Sequence, residues 1–196
     1  MNDSIANMIA LKLIELPYIT KACGCVRVLS TKDRKRYPIS TLVHFESEEV
    51  CDQEDGYVIM APTSQHVGVC FFEDLGVRFG KVTSSRARYL QGSLKLIVWV
   101  NLDKIGENAT IEPIQESIWA TLGRMKVEGL PSSVGGKVKV SQIYPKHPNA
   151  FTKYSFDEER TQFLSHPFDH FAMKLDYTCI IMQGCAPTIT LTPVQC

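Results

Sequence analysis

The sequence lacks the features that mark membrane-spanning and strongly charged proteins. No uninterrupted apolar run approaches the roughly 18 residues that a bilayer-spanning helix requires. Lys plus Arg number 21 and so do Asp plus Glu, so no net charge attracts the chain to nucleic acid or to an anionic membrane. Because Met1-Asn2-Asp3-Ser4 has no basic residue, we expect no secretory signal. These absences favour a protein that is made in the cytoplasm and meets its partners through local surfaces.

Spacings that bind metals are also missing. The seven cysteines are an odd number without a repeated pair spacing, so we expect reduced thiols. Cys23 and Cys25 lie two residues apart, but no second cysteine or histidine pair completes a tetrahedral site. His166 and His170 have helical spacing, yet Pro167 disfavours a helix continuing from His166, and we expect a solvated or turn-capping pair. We predict no metal and no cofactor.

Catalytic and nucleotide-binding motifs are missing as well. No GxSxG nucleophile elbow occurs, and the glycines at 76–80 and 135–136 have neither the Lys-Ser/Thr of a P-loop nor GxGxxG order. A Cys–His or Ser–His hydrolase stays open as an alternative, because such residues meet only in the fold. We predict that the protein is not an enzyme and has no catalytic residues.

Length and composition predict one domain over residues 1–196. Apolar residues make up 44% of the chain and charged residues 21%, which is ordinary for a globular protein. Three segments depart from this pattern: an acidic loop at 46–56, a basic arm at 76–92 and a long irregular excursion at 144–170, with one short helix near 157–164.

The first of two principal helices starts at a cap residue, Asp3 or Ser4, and runs to about Leu16. Leu11 and Ile14 fall opposite its main apolar stripe. Such a helix lies either under a loop of its own chain or between its sheet and a neighbouring subunit.

The second principal helix starts at the cap Thr110 and carries an unbroken apolar stripe to Met125. Residues of alternating polarity predict strands at 25–29, 40–45, 57–61, 66–72, 93–102, 138–143 and 171–181. Residues 93–102 are apolar on both faces and predict a central strand. The predicted fold class is α+β: a mixed, mainly antiparallel sheet with two principal helices packed on one face, plus long hairpin arms and loops.

Charge is distributed unevenly along this neutral chain. Residues 21–36 carry six bases and one acid, whereas residues 46–55 carry six acids and no base. A basic hairpin tip of one copy could meet the acidic loop of the next in a head-to-tail contact, or the two patches could neutralise one another within one molecule. The predicted interface comprises Leu11, Ile14, Lys32, Arg34, Lys35, Arg36, Glu46, Glu48, Glu49, Asp52, Glu54 and Asp55.

Nucleic acid is the alternative partner for the bases at 32–36 and 78–88. Tyr37 and Tyr89 lie beside them in the sequence and could stack on bases. We favour a solvated hairpin tip over nucleic-acid binding.

The order of segments resembles that of the bacteriophage tail-terminator and neck (tail-completion) proteins. An N-terminal helix ends in Leu16-Pro-Tyr-Ile19, a hairpin follows, and then come the strand Leu94–Leu102, a helix and a late strand introduced by His166-Pro-Phe-Asp-His-Phe171. The resemblance implies a virion structural protein without catalysis: a homo-oligomeric ring, a hexamer in this family, at the head–tail junction.

By the same resemblance, the ring caps the tail tube and joins it to the head connector, so its partners are the tail tube protein and that connector. The protein would be made in the host cytoplasm and located in the virion. A head-closure or connector neck protein, or an intracellular nucleic-acid-binding module, is the alternative function.

Overall fold

The computed structural model describes residues 2–45, 56–82, 87–125, 133–144 and 150–182, and gives only the backbone at 81–82, 87–88, 133–144 and 180–182. The helices are α1 (Asn2–Leu13), α2 (Leu102–Ile105), α3 (Ile111–Arg124) and α4 (Glu158–Thr161), and a 3-10 turn spans Gln162–Leu164. The strands are β1 (Lys21–Cys25), β2 (Arg27–Ser30), β3 (Arg36–Ser40), β4 (Val43–Phe45), β5 (Val58–Ile59), β6 (Gly68–Val82), β7 (Ala87–Asn101), β8 (Ser133–Tyr144) and β9 (Phe168–Met182).

The main sheet has six strands in the order β4-β1-β6-β7-β9-β8. Strands β1 and β6 pair in parallel, and the other neighbours pair antiparallel. A second sheet, β2-β3-β5, is antiparallel. Helices α1 and α3 contribute to one apolar cluster with the main sheet. The predicted fold class, a mainly antiparallel α+β fold with two principal helices on one face, is confirmed.

Strand β7 is central because both of its faces are covered. Leu94, Leu96 and Val98 belong to the cluster beneath α1 and α3. Ile97 and Trp99 belong to a second cluster on the opposite face, where aromatic side chains from residues 150–168 pack. The prediction of a strand apolar on both sides is confirmed, and the excursion at 150–168 forms the second covering layer.

The end of one helix and the pairing of two strands differ from the predictions. Helix α1 ends at Leu13 rather than near Leu16, and the backbone closes a turn from Leu16 to Leu13 instead, since Pro17 disfavours a helical conformation in the residue before it. The hairpin returns along β3 and not along 40–45. Strand β4 pairs with β1, because the chain turns where the Ser40 hydroxyl bonds the backbone of Leu42.

The basic segment at 76–92, expected to form a long hairpin or arm, belongs to the antiparallel strands β6 and β7. Its described residues continue β6 and β7, and β7 stays paired with β9 as far as Ala87 and Met182. The predicted short helix in the excursion is confirmed as α4 and the following turn, and Asp157 caps α4 by accepting the backbone N–H of Arg160.

A buried ionic network attaches the excursion to the sheet. Glu73 of β6 lies opposite Lys95 of β7, and the Lys95 ammonium is 3.7 Å from the Glu73 carboxylate. Lys95 also donates to the carbonyl of Ala150 at 2.9 Å, and Lys153 lies 2.9 Å from Glu73. Burial lowers the pKa of Lys95, while the Glu73 carboxylate opposes that shift. The network therefore joins two strands to the start of the second layer.

We expect Glu73→Gln to lower the free energy of unfolding by about 3 kcal/mol, because it leaves a buried ammonium without its counter-charge. Lys153→Ala is the matched control: its side chain is half exposed, and we expect it to cost less than about 1 kcal/mol. Urea unfolding followed by circular dichroism measures both. Equal losses in the two variants would contradict the central role of the buried pair.

Candidate assembly surfaces

The predicted basic tip is the turn between β2 and β3. Thr31 closes it: the Thr31 N–H donates to the carbonyl of Lys35 at 2.9 Å, and the Thr31 hydroxyl accepts the Lys35 N–H at 3.2 Å. Lys32, Arg34 and Arg36 are exposed. The Lys35 ammonium instead donates to the carbonyl of Phe156 at 3.0 Å. Three of the four predicted bases are thus exposed, while Lys35 holds the tip to the second layer.

Tyr37 is not available for stacking on a base. It is 7% exposed, lies against Phe156 and donates its hydroxyl to Asp157 at 2.9 Å. The Arg160 guanidinium lies 5.2 Å from the centre of its ring. The alternation of β3 turns Tyr37 inward, which removes it from the alternative hypothesis of stacking on nucleic acid. Tyr89, the other predicted stacking residue, is 41% exposed.

On the helix layer, Leu11 is 47% exposed, in agreement with its predicted place opposite the stripe. Ile14 directly follows α1, with its N–H bonded to the carbonyl of Ala10, and it is half-buried against the core. The six predicted acids, Glu46, Glu48, Glu49, Asp52, Glu54 and Asp55, lie outside the described residues.

Two exposed aromatic residues were absent from the predicted interface. Phe79 of β6 is 70% exposed and Trp119 of α3 is 55% exposed. Trp119 lies one residue from Ile118 and therefore about 100° from the apolar stripe of α3, a signal that was present in the sequence. Phe79 lies next to Arg78 inside a polar segment, so the sequence carried no clear signal that this aromatic side chain would be exposed on a strand.

The candidate ligand residues do not assemble into a metal site. Burial raises the pKa of Cys23 and of Cys25 to about 12 each, which favours neutral thiols. Among the described residues, no three His, Cys, Asp or Glu side chains gather as a metal would require. His166 is exposed but His170 is buried against Phe151, so the expectation of a solvated pair is wrong for His170. Both faces of β9 are covered at this point, since Asp169, His170 and Phe171 are all buried.

The described part of the molecule has open clefts. One, of about 580 Å³, lies beside the distal halves of β6, β7 and β9 and is lined by Arg78, Lys174 and Asp176 among others. Another, of about 720 Å³, lies between the start of α1 and the second sheet. In the first cleft the Ser93 hydroxyl donates to the Asp176 carboxylate at 2.6 Å, and among the described residues no histidine lines either cleft.

No family model matches the chain, and no curated protein matches it significantly. The longest described helix, α3, has 14 residues, and within the described residues no helix is long and apolar enough to cross a membrane.

Protonation of Asp157 should weaken the junction between the tip and the second layer. Burial opposes ionisation of Asp157, but hydrogen bonds from the Arg160 N–H and the Tyr37 hydroxyl, together with the Arg160 charge, outweigh it and lower the pKa of Asp157. A depressed folded-state pKa stabilises the fold above the unfolded value, near 3.8, and this contribution is lost as pH falls through the folded value.

We therefore expect Asp157→Asn to destabilise the protein near neutral pH, and the difference from wild type to shrink below about pH 4. Tyr37→Phe, which removes one donor, should show a smaller change of the same sign. Urea midpoints measured between pH 3 and pH 7 test this. Parallel curves for wild type and Asp157→Asn would contradict it.

Proposed function

We propose that the protein is a subunit of a homo-oligomeric ring in a bacteriophage virion, a tail terminator or completion protein that caps the tail tube and joins it to the head connector. The observation that carries the proposal is the exposure of aromatic side chains on the distal part of β6 and β7, where residues 77–82 pair with residues 88–92. Phe79 and Leu90 form a cross-strand pair on the helix-facing side, while Tyr89 belongs to the opposite face. Phe79 is 70% and Tyr89 is 41% exposed, so each face of this extension presents an aromatic side chain to solvent.

An extension of this kind suits a surface that another chain covers. Aromatic residues are enriched at protein interfaces, where a large apolar area becomes buried at a small cost in side-chain entropy. The exposed bases of the tip, Lys32, Arg34 and Arg36, add a charged surface on the second sheet. A head-to-tail ring needs two different surfaces on each subunit. The extension and the tip supply two such surfaces.

A terminator acts by binding and not by catalysis. It must bind the last ring of the tail tube without presenting the docking surface that a further tube ring would use. The absence of a catalytic grouping among the described residues is compatible with this role. Assembly in the host cytoplasm, a location at the head–tail junction and a hexameric ring belong to the same proposal.

We expect light scattering on the purified full-length protein to give a closed oligomer, and electron microscopy of its mixture with tail tubes to show rings at one tube end. Phe79→Ser with Tyr89→Ser should weaken association while moving the urea midpoint little, because exposed positions contribute little to folding. Val28→Ser, which changes an apolar residue that is 45% exposed on the second sheet, is the control. A stable monomer at tens of micromolar that leaves tail tubes uncapped would contradict the proposal.

A further inference from the structure

Strand β8 forms a long edge of the main sheet. All of Ser133–Tyr144 belongs to this strand, which pairs with β9 on one side, and within the described residues no strand lies on its other side. The opposite edge, β4, is only Val43–Phe45. An edge strand presents a row of backbone N–H and C=O groups that a further strand can pair with. Among the described strands, β8 is therefore an edge beside which the sheet could be extended.

The helix layer overhangs this open edge through Trp119. Successive residues of a helix are about 100° apart, so Ser117 and Trp119 lie on opposite sides of the buried Ile118. The Ser117 side chain lies beside the Tyr18 hydroxyl, close after the end of α1. Helix α3 contacts α1 and also β8 and β9. Trp119 therefore faces away from α1, toward the outer side of β8, where it is 55% exposed.

The register shows which face of an added strand would be apolar. Val138 and Val140 of β8 pair with Tyr177 and Leu175 of β9, and both β9 residues belong to the core beneath the helices. Alternate positions of a further strand would continue this helix-facing surface toward Trp119. Such a strand needs apolar residues at every second position and polar residues between them.

The C-terminal segment of the chain has this pattern. Residues 183–196 follow the end of β9, and within them Thr188-Ile-Thr-Leu-Thr192 places Ile189 and Leu191 on one face of a strand and three threonines on the other. β-Branched residues are favoured in strands. Pro187 and Pro193 lack an N–H and limit the ladder to the five residues between them.

We propose that residues 188–192 of one copy pair as an added strand with the outer edge of β8 in the next copy, with Ile189 and Leu191 packed beneath Trp119. Strand addition of this kind takes affinity from main-chain hydrogen bonds and specificity from alternate side chains. Every copy gives one strand and receives one, so the contact is head-to-tail and closes into a ring when its rotation divides a circle. The inference rests on the ring proposed above and names one of its contacts.

A second copy is the preferred donor because of the chain path. Residues 126–132 connect α3 to β8 and enter at Ser133, which pairs with Ile181 near the end of β9. To reach the outer edge of its own β8, the C-terminal segment would have to pass the same end of the sheet as residues 126–132. Two connections rarely cross at one end of a sheet. The C-terminal segment of a neighbouring copy needs no such crossing.

The full-length protein carries its own reporter. It has two tryptophans, of which Trp99 is 1% exposed and Trp119 is 55% exposed, so acrylamide quenching follows Trp119. We expect association at rising protein concentration to shield Trp119. Ile189→Asp with Leu191→Asp should weaken association about a hundredfold and leave Trp119 accessible, because two apolar contacts are replaced by charges. Thr188→Asp with Thr192→Asp adds the same charge to the other face and should retain association.

A peptide of residues 186–195, added to the Ile189→Asp and Leu191→Asp variant, should shield Trp119, and the same peptide carrying both aspartates should not. If the variant with Ile189→Asp and Leu191→Asp still forms rings and Trp119 is shielded as in wild type, the contact between the C-terminal segment and β8 is overturned. The ring proposal would then still stand. Shielding in a monomer at every protein concentration would show that the tail covers its own β8, which also overturns the inference. Open-ended oligomers whose formation requires Ile189 and Leu191 would support the contact between the C-terminal segment and β8. They would contradict the closed ring.

Discussion

The second layer of this protein depends on the buried pair of Glu73 and Lys95. The two residues face one another across β6 and β7, and Lys95 passes the interaction on to the carbonyl of Ala150. Beyond that point the chain packs Phe151, Tyr154 and Phe156 over the sheet. A buried ion pair is a weak source of net stability, but breaking it is costly, so such a pair holds one arrangement against alternatives. Here it attaches an irregular excursion, whose described residues between 150 and 167 pair with a strand at a single bridge, between Ser155 and Arg36.

With that layer in place, both faces of the main sheet are covered near its centre. The Lys35 ammonium and the Tyr37 hydroxyl hold the tip between β2 and β3 by bonding Phe156 and Asp157 of the excursion. The exposed aromatic residues lie at the margins: Phe79 and Tyr89 on β6 and β7, and Trp119 on α3. This distribution is what the proposed assembly role rests on.

The sequence predicted the fold class because periodicity is a local property. Residues 93–102 are apolar on both faces and became the central strand, and the stripe from Ile111 to Met125 became α3. Pairing is not local, so the return strand of the hairpin was misplaced: 40–45 alternates as a strand should, but β4 pairs with β1. Likewise Tyr37, a candidate for stacking in the nucleic-acid alternative, is buried by contacts with Phe156 and Asp157, which are distant in the sequence.

What the sequence determined by itself was the alternation of residue types, the charge segregation between 21–36 and 46–55, and the lack of motifs for catalysis or metals. Only the tertiary structure decided that Lys35 is held while Lys32, Arg34 and Arg36 are exposed, because Lys35 donates to a carbonyl 121 positions away in the chain. It also decided that Trp119 is 55% exposed beside the buried Ile118, since a helical wheel gives the angle of a side chain but not the elements around it. The difference arises because long-range packing depends on residues distant in the sequence, which a local pattern does not encode.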